Sequence, residues 1–364
     1  MTEPTLRPYR DPEDREAFFE LFRKIYGTEY GDGVDRDRAF DWMYRQSGDG
    51  RLLSTGAFAG DRLAAFYGIV PLRFRVDGQD LMGAQSLDSM THPDFQRRGL
   101  FAKLGNLAYR ETCREVPVVF GFPNESALPP RVARLGWVAL RPVPRFVLML
   151  QAPPLPTSLQ RPGVGRLLAV AMGAARWRIR MAEWGALVAR RWMGLDVSEE
   201  PVIPADVDDL WQEVRDDYRV SVVRDAAYLR WRYDQHPSKA YRRWTIRQSG
   251  RLRGILITRQ PVADEPDLHA VEWLAPADRT VQLAMAESLA MLARTGQHRA
   301  AFVLNSFRPT DVAALVAVGF LPLPKGQTRP WLVPGVRANG PQATADALYH
   351  VDHWRLSYGD MDMG

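Results

Sequence analysis

Apolar residues recur at helical spacing at Ala17, Phe18, Leu21, Phe22 and Ile25. Asp11-Pro12 before them suits a helix start, and Gly27 after them suits its end. A short strand over residues 6–10 precedes this helix, and a second helix over 37–45 carries Phe40 and Tyr44 on one face. Residues 53–59 and 62–76 read as two strands around a Gly60-Asp61 turn, and 81–90 as a third beyond Asp77-Gly78. Helical spacing returns over 102–113 with Leu104, Leu107 and Ala108. The uncharged run 116–122 has the look of a fully buried strand. Residues 128–135 form a helix closed by Gly136-Trp137, and 138–150 supply further strand.

The second half repeats this outline. Residues 241–247 and 252–259 form a hairpin about Ser249-Gly250-Arg251, followed by a strand over 268–275 and a helix over 281–294. Ala300 to Ser306 parallels the run before Asn124, with Asn305 in the place of Asn124, and the helix after each run ends in glycine, at Gly136 and at Gly319. An internal repeat of roughly 180 residues predicts two similar domains. Between the halves, 152–162 is a proline-rich linker, and 164–193 carries an apolar stripe at Val170, Ala174, Trp177, Met181, Trp184 and Val188. Seven arginines against Glu183 alone make residues 157–195 basic, which would suit an anionic membrane surface. A helix packed between domains is the favoured reading. The expected spans are 1–152, 153–198 and 199–364.

Composition narrows the function classes. With 46% hydrophobic and 25% charged residues, the 364-residue chain is an ordinary globular sequence. A net charge of +5 fits an anionic ligand and makes a thin case for nucleic acid. The single cysteine, Cys113, excludes an internal disulfide and fits a reducing compartment. No secretory signal or membrane-length apolar run is read, so a cytoplasmic protein is expected. No metal is expected.

The chemistry concentrates where the strand over 81–90 meets the helix over 102–113. The intervening Thr91-His92-Pro93-Asp94-Phe95-Gln96-Arg97-Arg98-Gly99-Leu100-Phe101 places a glycine and two arginines at a helix N-terminus. Free amides and the positive end of the helix dipole bind anions there, and glycine lets a phosphate come close. This stretch resembles motif A of the GNAT acyltransferases, whose Gln/Arg-x-x-Gly-x-Gly/Ala turn holds the pyrophosphate of acetyl-coenzyme A. Phe101 departs from the usual small residue, a variation similar to Eis-like relatives. Phe120-Gly121-Phe122-Pro123-Asn124-Glu125-Ser126 resembles the exit of that family's splayed fifth strand.

The resemblance implies two tandem α/β domains of GNAT type, each a mainly antiparallel twisted sheet flanked by helices. It implies an acetyl group moved from acetyl-coenzyme A to a small-molecule or peptide amine. Gln96, Arg97, Arg98, Gly99, Leu100 and Phe101 would hold the pyrophosphate, Met90 and Thr91 the thioester, and Asn124 and Ser126 the pantetheine. The family's strand glutamate falls at Gln85, which cannot act as a base, and no tyrosine lies between Phe120 and Arg145 to serve as acid. Asp88 and Asn124 are the catalytic candidates, with His92 and Glu125 nearby; the face Asp88 presents depends on whether its strand bulges. Asn124 has a second reading as a cap for the following helix. Asp278, in the second copy, stands where the first has its basic glycine turn, so coenzyme binding is expected in the first copy only. A Fem-like aminoacyl transferase, lacking a working coenzyme turn, and a non-catalytic acyl-coenzyme A-binding or membrane-associated module are the alternatives.

Overall fold

The computed structural model describes residues 3–31, 33–151, 194–259, 267–304, 308–323, 333–340 and 345–361. The basic stripe over 164–193, the linker before it and Asn305-Ser306 lie outside the described residues. The chain forms two compact units, each assembled from three segments.

The first unit combines Met1–Val143, Tyr218–Lys239 and Arg329–Arg355. Its strands are β1 (Thr5–Pro8), β2 (Thr55–Ala59), β3 (Arg62–Val76), β4 (Gln79–Thr91), β5 (Val118–Gly121) and β6 (Val138–Ala139). Its helices are α1 (Arg15–Tyr26), α2 (Arg36–Phe40), α3 (Leu100–Arg110) and α4 (Leu128–Leu135). Helix α1 begins after Asp14, later than Asp11-Pro12 suggests; Asp11 instead pairs with Arg15. The second helical stretch is α2 continued by a π-helical turn, Asp41–Arg45. The sheet runs β1-β2-β3-β4-β5, then a strand at Gly335–Ala338, then β6. Only β4 and β5 are parallel neighbours within it among the described residues. One face packs on α3 through Ala65, Tyr67, Ile69, Ala84, Leu104 and Ala108. Near the other, Tyr9, Phe18, Phe40, Tyr44 and Phe66 form edge-on and stacked ring contacts.

The second unit combines Pro144–Asp217, Ala240–Thr328 and Leu356–Gly364. It contains β7 (Arg145–Met149), β8 (Leu195–Glu200), β10 (Tyr241–Gln248), β11 (Arg251–Arg259), β12 (Leu268–Leu274), β13 (Ala300–Leu304) and β14 (Leu321–Pro322), while the short β9 (Val220–Val222) belongs to the first sheet. The order β8-β10-β11-β12-β13-β7-β14 reproduces that of the first sheet strand for strand. The sixth place is filled in each case from the other half of the sequence: β7 pairs with β13, and β15 (Gly335–Ala338) pairs with β5. Residues 138–150, which read as continuous strand, are therefore divided between the two sheets. Phe146 and Leu148 of β7 are buried in the second core.

Candidate functional site

Strand β4 sets the geometry. It follows β3 in register from Gln79↔Val76 to Leu87↔Gly68, and then slips so that Met90 faces Phe66. The extra residue is Asp88, at φ +44, a left-handed conformation that a non-glycine residue adopts at a bulge. Gly68 makes room: a Cβ there would lie 2.4 Å from the carbonyl oxygen of Leu87 and 3.0 Å from the Tyr44 hydroxyl. The bulge turns the Asp88 carboxylate toward Tyr44, whose hydroxyl donates to Oδ2 at 2.8 Å, and toward Tyr30, 3.4 Å away.

On its other edge β4 pairs with β5 only at Ala84↔Val119 and Gln85↔Phe120. Beyond that point β4 runs on to Thr91 without a ladder to β5. Met90 is buried opposite Phe66, and Thr91 is half-buried opposite Ala65.

The turn that follows is held by His92. Its Nδ1 accepts from the Asp94 amide at 3.2 Å, and Arg62 lies against both ring nitrogens. Burial and Arg62 hold its pKa below the ordinary value, so the ring is neutral and engaged in the turn. Arg97 takes φ +62 and Gly99 φ +71, two left-handed residues within three positions. They turn the backbone sharply just before α3. The first helical bond is Lys103 N–H to Gly99 C=O at 3.0 Å, so the amides of Leu100, Phe101 and Ala102 have no intrahelical acceptor. Nothing lies within 4 Å of a Cβ added to Gly99. Gln96, Arg97 and Arg98 are exposed; Arg98 donates to the Asp94 carbonyl at 3.1 Å. Leu100 is buried, and the ring of Phe101 meets Tyr67 edge-on at 5.3 Å. Amides without an intrahelical acceptor at a helix N-terminus, beside exposed arginines, are groups with which an anion can interact.

Asn124 and Ser126 are exposed in the turn after β5. Asn124 Oδ1 accepts from the Ala127 amide at 3.0 Å and from the Ser126 hydroxyl at 2.8 Å, so its acceptor is spent on the turn ahead of α4. Glu125 is exposed.

One residue that the sequence pattern did not single out is Arg131 of α4, 3% exposed. It donates to the hydroxyls of Ser86 and Ser89 on β4, each at 3.1 Å, and lies over the rings of Tyr67, Phe101 and Trp137. The available signal was its spacing: Arg131 falls on the same helical face as Leu128 and Leu135, where a charge is out of place. Among the described residues no cluster suited to a metal ion occurs, and no helix is long and apolar enough to cross a membrane.

Comparison with known proteins agrees with this layout. Residues 5–139 match the family model described as an acetyltransferase (GNAT) domain. No curated protein matches the chain. A GCN5-related N-acetyltransferase from Anabaena variabilis is similar over 93% of this chain and 73% of its own, at 10% identity and a TM-score of 0.62. A probable N-acyltransferase of unknown function from Enterococcus faecalis covers the same shares at 12% identity and 0.61. The N-myristoyltransferase of Saccharomyces cerevisiae, solved with myristoyl-coenzyme A, matches 100% of this chain and 90% of its own at 11% identity and 0.54. At such identities the likeness is one of fold. The match over residues 5–139 and the mixed, mainly antiparallel architecture of the two sheets agree with a GNAT fold.

Proposed function

We propose that the protein moves an acetyl or other short acyl group from acyl-coenzyme A to the amine of a small-molecule or peptide acceptor. The observation that carries this reading is the turn from Arg97 to Ala102, with two left-handed residues, open amides and open space above Gly99. Those amides and Arg97 would hold the pyrophosphate, and the edge of β4 from Leu87 to Thr91, past its ladder with β5 among the described residues, would lie along the pantetheine and thioester. The bound coenzyme supplies the activated acyl carbon.

The protein's own part is to hold the amine and take its proton. An amine with a pKa near ~10 is largely protonated at neutral pH, so it must lose a proton before its lone pair can form the C–N bond. Asp88 takes the ammonium proton first. As the freed lone pair forms the C–N bond and the C–S bond breaks, the C–S electron pair leaves with the coenzyme sulfur, which takes the second nitrogen proton and departs as the thiol. Asp88 fits this role because the bulge takes it out of the strand's alternation, beside Tyr44 and Tyr30. Asn124 and Ser126 would support the pantetheine from the turn that Asn124 holds. The intact turn disfavours an aminoacyl-tRNA-dependent reaction.

Titration calorimetry with coenzyme A, followed by thiol release from acetyl-coenzyme A with an amine panel, tests the proposal. Coenzyme binding and amine-dependent thiol release are expected. Asp88→Asn should lower turnover by about 10²–10⁴ with coenzyme affinity retained. Absence of binding overturns the reading; equal turnover in Asp88→Asn overturns the assignment of the base.

A further inference from the structure

We infer that Arg131 is a positioning residue for the acyl carbonyl, acting through the hydroxyls of Ser86 and Ser89; this rests on the acyltransferase reading above. The guanidinium is buried, and among the described residues no carboxylate pairs with it. Among the described residues its Nε has no hydrogen-bond partner and Nη1 reaches only the Ala127 carbonyl, at 3.3 Å. Burying a charge without an opposite charge is costly. An apolar side chain of similar length would pack among Tyr67, Phe101 and Trp137 without that cost. The three rings offset part of that cost by cation–π contact, but they do not account for the two serine hydroxyls that the guanidinium meets.

The serines show what the charge is aimed at. Nη2 of Arg131 donates to both Oγ atoms, so each serine must point its own O–H elsewhere. The other contact of Ser89 is the Leu87 carbonyl at 3.5 Å, at the limit of a hydrogen bond. Two hydroxyl donors polarised by a buried cation therefore stand where β4 leaves its pairing with β5, Ser86 against Gly121 at the end of the ladder and Ser89 beyond it. Such a site favours an acceptor that gains negative charge, which the acyl oxygen does as the C–N bond forms. Ser89 also follows the bulged Asp88 directly, so neighbouring residues present the base to Tyr44 and the donor to Arg131.

The test compares acetyl-coenzyme A with S-ethyl-coenzyme A, a thioether that lacks the carbonyl, by calorimetry on the full chain. Ser89→Ala and Arg131→Met should weaken acetyl-coenzyme A about three- to tenfold while leaving the thioether unchanged. Turnover should fall about tenfold or more. Arg131→Lys, which keeps the charge but loses the fork, should fall between. Ser89→Ala removes only a hydroxyl and keeps the test open if Arg131→Met does not fold. Unchanged preference for acetyl- over ethyl-coenzyme A in Ser89→Ala, with wild-type turnover, reduces Arg131 to a structural tie and overturns the inference. Wild-type protein that binds neither ligand overturns the acyltransferase reading as well.

Discussion

Trp42 and Trp231 exchange hydrogen bonds: the indole of each donates to the backbone carbonyl of the other, at 2.8 and 2.9 Å. Their rings stack at 5.2 Å with 20° between planes. Each is the second residue of a π-helical turn, Asp41–Arg45 in one case and Arg230–Asp234 in the other. The segment around Trp231 thus mirrors the one around Trp42, each introduced by an aspartate cap, Asp35 or Asp225. Trp231→Phe keeps most of the buried ring but removes the donor to Trp42. A loss of about 1–3 kcal/mol is expected in urea unfolding.

A second prediction concerns the bulge. A methyl group at Gly68 would lie 2.4 Å from the Leu87 carbonyl, a backbone atom that cannot rotate away. Gly68→Ala should cost about 1–3 kcal/mol and displace the bulge. Because the bulge also aims Asp88, turnover should fall by more than the fraction unfolded explains. A stable Gly68→Ala protein with full turnover would separate Asp88 from the chemistry.

Much of this was legible in the chain. The alternation and the punctuating glycines located β1 to β5 and α3, and the basic, glycine-ended run from Gln96 to Gly99 marked the turn ahead of α3, where Arg97 and Gly99 take left-handed backbones. Three features were not legible. The division of residues 138–150 between two sheets depends on pairing with distant strands, which no local pattern encodes. The bulge at Asp88 is created by its fit against Gly68, a residue on the neighbouring strand. The match between the Trp42 and Trp231 segments was hidden because their sequences share little beyond Asp, Trp and Tyr.

His236 predicts acid sensitivity. Its ring lies 4.3 Å from that of Trp42, and Nδ1 accepts from the amides of Ser238 and Lys239 at 3.3 and 3.1 Å. Burial, then the charges of Arg232 and Lys239, depress its pKa to about 3. Between that value and the unfolded value near ~6.5, the unfolded chain binds a proton that the folded chain refuses. Stability from this residue is therefore complete above the unfolded pKa and is lost as pH falls toward about 3. The slope is at most about 1.4 kcal/mol per pH unit. His236→Gln should flatten it, as urea midpoints at about pH 4.5 and pH 7 would show. Parallel curves for the two proteins would remove His236 as the cause.

The last prediction is that one coenzyme A binds per chain, in the first unit. Helix α3 begins after Gly99, whereas the helix Arg279–Thr295 begins after Asp278. Asp278 Oδ1 accepts from the amides of Thr280 and Val281 at 2.8 and 3.2 Å. In the second unit a carboxylate of the chain itself thus occupies donors that a phosphate would use. Removing it exposes amides but supplies neither a left-handed glycine nor a basic turn. Asp278→Ala should therefore cost about 1 kcal/mol of stability and create no second site. Gly99→Asp should weaken coenzyme A at least about tenfold, without crowding, since no atom lies within 4 Å of an added Cβ. The loss comes from φ +71, strained for any residue with a Cβ, and from a carboxylate beside the open amides. Calorimetric stoichiometry reads both variants. Two equivalents per chain, or undiminished affinity in Gly99→Asp, would remove the first-unit turn as the coenzyme site.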